Sequence, residues 1–156
     1  GHWQYKGTLL DKKFSTFTTD EHRVFHKAIP WWQRLVRDLG RTLFDNGYQG
    51  PAGLDALIWE DAAGDIFLKP LVELNPRWTM GRIALALEEH IVPGTTAKWL
   101  FFQKDAHDWQ ALLKKYPATF IDTDGGRRIK SGVICTTDPM TSKHVVTILA
   151  VGPTSL

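Results

Sequence analysis

The chain has 156 residues, 43% of them hydrophobic and 23% charged, which fits a folded globular protein and excludes a disordered one. Its net charge of +2, from 19 basic and 17 acidic residues, is too small to point to nucleic acid or a membrane surface. A single cysteine, Cys135, excludes an internal disulfide framework and a multi-cysteine zinc site.

Gly1-His2 reads as the scar of a cleaved expression tag, and residues 3–156 as a single domain cut from a longer protein. Trp3 to Phe17 predicts a short hairpin or two edge strands around Leu10-Asp11-Lys12-Lys13. Thr18-Thr19-Asp20-Glu21 has the spacing of a capping box and opens a short helix to about Ala28. Pro30 then fits the first turn of a second helix. Trp32, Leu35, Val36, Leu39 and Leu43 give that helix one apolar face, and Gly47 supplies a left-handed cap.

Two strands follow, Leu54–Glu60 and Ile66–Asn75, joined by the loop Asp61–Asp65. So short a connection makes them antiparallel neighbours. A helix is expected over Met80–Ile91, a strand over Lys98–Gln103, and a helix over Asp105–Tyr116 begun by an Asp cap. After the loop Asp122–Gly126, the strands Ile129–Thr137 and His144–Val151 close the chain. Strands and helices mixed through short connections predict an α+β fold, an antiparallel sheet flanked by helices.

The segment Gly47–Gly81 carries the chemistry. Strand residues two apart share a face, so Glu73, Asn75 and Arg77 point one way, while Val72 and Leu74 point into a core. Asp55, on the first strand, can join them. Two carboxylates, an amide and a guanidinium are groups suited to Mg²⁺ and a phosphate or carboxylate. Spacing alone leaves two readings open, a metal site and a solvated surface pair.

Gly50-x-x-Gly53-x-Asp55 followed by Glu73-x-Asn75-Pro76-Arg77 resembles the metal-binding hairpin of the ATP-grasp superfamily, most closely its biotin carboxylase and carbamoyl-phosphate synthetase branches. The resemblance covers residues 47–81 and implies that the chain is the carboxy-terminal part of an ATP-grasp domain. It implies Asp55, Glu73 and Asn75 as ligands of two Mg²⁺ ions, Asn75 and Arg77 as groups meeting ATP, and Arg77 as the catalytic residue at the carboxylate or acyl phosphate. The implied reaction is ATP-dependent ligation of a small carboxylate to an amine through an acyl phosphate. The amino-terminal lobes that hold the nucleotide in that superfamily have no counterpart in this sequence. The fragment is therefore expected to need those lobes as partners and to be inactive alone. The alternative is a non-catalytic domain that keeps the fold as a binding module or scaffold. Residues after Gly81 match no pattern of the superfamily.

Other polar residues have plainer readings. His22 and His26 lie one helical turn apart, without a third ligand. Arg127, Arg128 and Lys130 read as a solvated hairpin loop, and Cys135 as a small apolar strand residue. Trp31, Trp32, Trp59 and Trp78 read mostly as core, with Trp78 close enough to the site to stack on a ligand. No apolar run approaches the ~20 residues of a membrane span and no leader opens the chain, so a cytoplasmic protein is expected.

Overall fold

The structure, a computed structural model, describes residues 5–11 and 16–154. The elements run β1 (Gly7–Leu10), α1 (Thr19–Asp45), β2 (Gly53–Glu60), β3 (Ile66–Asn75), α2 (Met80–Glu88), β4 (Ala97–Gln103), α3 (Trp109–Lys115), β5 (Thr119–Thr123), β6 (Gly126–Cys135) and β7 (Val145–Val151). The fold is α+β. One sheet has five strands in the order β1-β4-β7-β6-β5, the other is the hairpin β2-β3, and the paired strands are antiparallel throughout. Length alone suggested one domain. The chain divides into two compact units, Gly1–Lys13 with Ala84–Leu156, and Phe14–Ile83, because each sheet has a helix of its own: α3 against β6, and α1 against β3.

The five-stranded unit is built around β7. Its sequence, VVTILAV, is nearly all apolar because the central strand is covered on both faces, and Val146 to Val151 are all buried. Trp109, Val133, Val146, Ile148 and Ala150 form a core cluster, with Leu112 and Leu113 of α3 and the Tyr116 that caps its end against it. The cap of α3 is Asp108, whose Oδ1 accepts the Ala111 N–H at 3.0 Å, and not the expected Asp105. Lys104–Ala106 forms a separate 3₁₀ turn, and His107 is extended, which breaks the helix that the spacing suggested.

Three further boundaries differ from the expectation. β5 begins at Thr119, ahead of the expected loop, since Phe120 and Ile121 pair with β6. α2 stops at Glu88 because Ile91 bridges Ile129 and the Val92 N–H donates to the Ile129 carbonyl at 3.0 Å. β1 is an edge strand paired to β4, while the second limb of the expected amino-terminal hairpin falls in part on residues 12–15, outside the described residues. Gly132 shows why a residue type is obligatory: it has φ +101°, and a Cβ there would lie 2.2 Å from the Pro117 carbonyl oxygen.

In the Phe14–Ile83 unit, α1 is one helix of 27 residues. The capping box forms: the Glu21 N–H donates to Thr18 Oγ1 at 3.2 Å, and the Thr18 N–H to Glu21 Oε2 at 2.6 Å. Two helices split near Pro30 were expected, but Pro30 lies inside a continuous one. A half-buried stripe through Phe25, Ile29 and Trp32 crosses the proline, with the Phe25 and Trp32 rings 5.3 Å apart, and holds the helix together despite a penalty of about 3 kcal/mol. At the other end Tyr48 N–H donates to Leu43 O and Gly47 N–H to Phe44 O, both at 2.9 Å, with Gly47 at φ +82°. That is a Schellman motif, as the position of Gly47 predicts. Trp32, Leu35, Leu39 and Leu43 are half-buried, whereas Val36, counted with them in the sequence, is 54% exposed.

Candidate functional site

The site is set by the register of the β2–β3 hairpin. Asp61 ties its loop, accepting the Ala63 and Asp65 N–H groups on Oδ1 at 2.9 and 3.0 Å. The return strand then places Asp55 directly opposite Glu73, and Gly53 opposite Asn75. Directly opposed residues share a sheet face. The two carboxylates therefore sit side by side on it, both exposed.

Halfway along, the register jumps from Asp55↔Glu73 to Leu57↔Lys69, so that Pro70, Leu71 and Val72 oppose Ala56 alone. Pro70 has no N–H to give to the ladder, and such positions favour bulges. Its carbonyl instead accepts Trp32 Nε1–H of α1 at 2.8 Å, which pins the bulge to the helix. The bulge corrects one expectation: Val72, predicted to point into a core, is 50% exposed, while Leu74 is half-buried.

Asn75 is the centre of the constellation. It is 6% exposed and the only buried side chain among the described residues of its unit. Its Nδ2 donates to Asp55 Oδ2 at 3.1 Å, and its Oδ1 accepts Arg77 Nη2–H at 3.1 Å. The structure thus joins Asp55, Asn75 and Arg77 in one hydrogen-bonded chain, with Glu73 beside Asp55 in register. Among the described residues neither Asp55 nor Glu73 forms an ion pair with a basic side chain. Like charges directly opposed destabilise a sheet unless a cation intervenes.

The glycines of the motif have steric jobs. A Cβ on Gly53 would lie 2.7 Å from Thr79 Cγ2, and one on Gly50 would lie 2.9 Å from the Tyr48 hydroxyl oxygen. Gly53 therefore lets the chain beyond Arg77 close over the start of β2. There Thr79 Oγ1 caps α2 by accepting the Arg82 N–H at 3.3 Å.

The donor set suits a hard divalent cation. Two exposed carboxylates share a face, and the third oxygen is the Asn75 amide, which at present faces Arg77. Among the described residues no group of three His, Cys, Asp or Glu side chains is placed to hold a metal. His22 and His26 stack with ring centroids 6.0 Å apart.

Trp78 is 61% exposed, with the Arg82 guanidinium 5.9 Å from its ring, and Trp31 and Trp59 are also exposed and not core as the sequence suggested. In the other unit, Arg127 lies over Phe120 at 4.5 Å and Arg128 donates to the Ile91 carbonyl at 3.3 Å. Burial, and then the nearby Asp138 charge, push the Cys135 thiol above its ordinary value, the reverse of what a nucleophile needs.

The fold and site thus define an α+β protein whose hairpin presents two carboxylates, a buried amide and an arginine. No family model, no curated protein and no solved structure matches the chain. No helix among the described residues is long and apolar enough to cross a membrane.

Proposed function

We propose that the Phe14–Ile83 unit carries the metal-binding hairpin of an ATP- and Mg²⁺-dependent carboxylate–amine ligase of the ATP-grasp kind. The observation that supports this reading is the directly opposed carboxylate pair Asp55 and Glu73, with Asp55 joined by hydrogen bonds through Asn75 to Arg77. In this reading Asp55 and Glu73 hold Mg²⁺, with Asn75 contributing its amide oxygen. Bound Mg²⁺ would neutralise charge on a transferring phosphoryl group.

Arg77, exposed and with donors to spare, binds the carboxylate, and later the acyl phosphate, through its planar guanidinium. Together with Asn75 it also orients ATP. A carboxylate oxygen attacks the γ-phosphorus and ADP leaves. The amine nitrogen then attacks the acyl carbon and phosphate leaves. The chain contributes position and electrostatics to both steps. The lobes that hold the nucleotide lie in the rest of such an enzyme, so this chain alone is expected not to turn over ATP.

The test is calorimetric titration of Mg²⁺-ATP into the longer protein carrying both lobes, beside its Asn75→Ala variant. Weaker nucleotide binding and lost ligation in the variant are expected. Equal affinity and activity in both would discard the assignment.

A further inference from the structure

We infer that Arg77 is a positioning residue that holds the Asn75 amide turned away from the metal, so that an anion arriving at Arg77 and a divalent cation arriving at Asp55 bind with positive coupling. The inference rests on the reading of the hairpin as a divalent-cation site and adds to it a competition for one oxygen atom.

An asparagine amide has one acceptor oxygen and two N–H donors. Here the donor end faces Asp55 at 3.1 Å and the oxygen faces Arg77 at 3.1 Å. The partners fix this orientation. Turned over, the amide would set its oxygen against a carboxylate and its N–H groups against a guanidinium, and both contacts would be repulsive. A cation at Asp55 reverses the preference, because it can be ligated by the amide oxygen and never by the N–H₂ group. For Asn75 to share a cation with Asp55, its amide must turn over and release Arg77.

The two residues differ in freedom. Asn75 is 6% exposed, so its oxygen cannot exchange Arg77 for bulk water at little cost. Arg77 is exposed, and its guanidinium can take a carboxylate or phosphate in place of the amide oxygen. An anion that draws Arg77 away therefore frees Asn75 to ligate the metal. By linkage, the metal raises the affinity for the anion by the same factor. In the absence of the anion, the site is held in a form that refuses the third ligand.

The test is a double-mutant cycle read by Mn²⁺ binding, using the electron paramagnetic resonance signal of free Mn²⁺, with no nucleotide present. The proteins are the 156-residue chain, Arg77→Met, Asn75→Ala and the double variant, with Asp55→Asn as the site control. Far-UV circular dichroism checks that each is folded. Breaking the Arg77 hydrogen bond should tighten Mn²⁺ binding about three- to tenfold in the chain with Asn75 present. Removing a positive charge favours a cation in either background, so the part acting through the amide is the part that Asn75→Ala abolishes. A gain that largely disappears in the Asn75→Ala background supports the inference. An equal gain in both backgrounds overturns it, since Arg77 would then act by charge alone. If Asp55→Asn leaves Mn²⁺ binding by the wild-type chain unchanged, the cation site itself fails and the competition falls with it.

Discussion

The two units bury different things. In the five-stranded unit burial is apolar: Val146, Ile148, Leu149 and Val151 are at most 1% exposed. In the hairpin unit no apolar side chain among the described residues is fully buried, and the one buried residue is Asn75. A two-stranded hairpin offers one face to one helix, and that is too little to close a core. Its other face carries the Asp55–Glu73 pair with Leu57, Trp59 and Phe67, all exposed. One unit holds itself together by exclusion of water, and the other spends its only closed position on a polar group at the candidate site.

Substitutions should separate the two. Ile148→Ala removes a 0% exposed side chain and is expected to cost about 2–5 kcal/mol in a denaturant titration. Val36→Ala on α1 should stay within about 0.5 kcal/mol. Comparable losses would mean that the hairpin unit has a core of its own. Hydrogen exchange should agree, with β7 amides protected far longer than those of α1.

Because α1 has no buried side chain, its local signals should matter more. Thr18→Ala breaks the capping box and should lower stability by about 1 kcal/mol, seen as earlier loss of helical circular dichroism on heating. Gly40→Ala should do the opposite. A Cβ there meets nothing within 4 Å, and alanine is the better helix former by about 0.8–1 kcal/mol. No change from either would mean that tertiary contacts dominate α1 after all.

The smallest effect lies at Cys135. Its raised thiol value means the folded state holds the proton more tightly than the unfolded chain, so stability should fall slightly as pH rises through the ordinary thiol range. Near pH 8 it should react with an aromatic disulfide reagent more slowly than free cysteine does. A faster reaction would reopen it as a nucleophile.

Much of the fold was legible because its signals are local. The Thr18–Glu21 box, the Gly47 cap, the Asp61–Asp65 loop and the apolar run of β7 each depend on neighbours in sequence, and each forms as read. Period-two spacing put Asp55 and Glu73 on one face, but the bulge chose their pairing, because the register from Glu60↔Ile66 continued unbroken would set Asp55 opposite Leu71. Tertiary structure decided the rest. Pro30 stays helical because the stripe on both sides of it finds one partner surface, and Val72 is exposed because Pro70 opens a bulge. The length that suggested one domain could not reveal that each sheet had taken its own helix. Nor could the sequence say which end of the Asn75 amide faces Asp55. Asp55 and Arg77 fix it together, and only the folded turn after β3 brings Arg77 within reach of the amide oxygen.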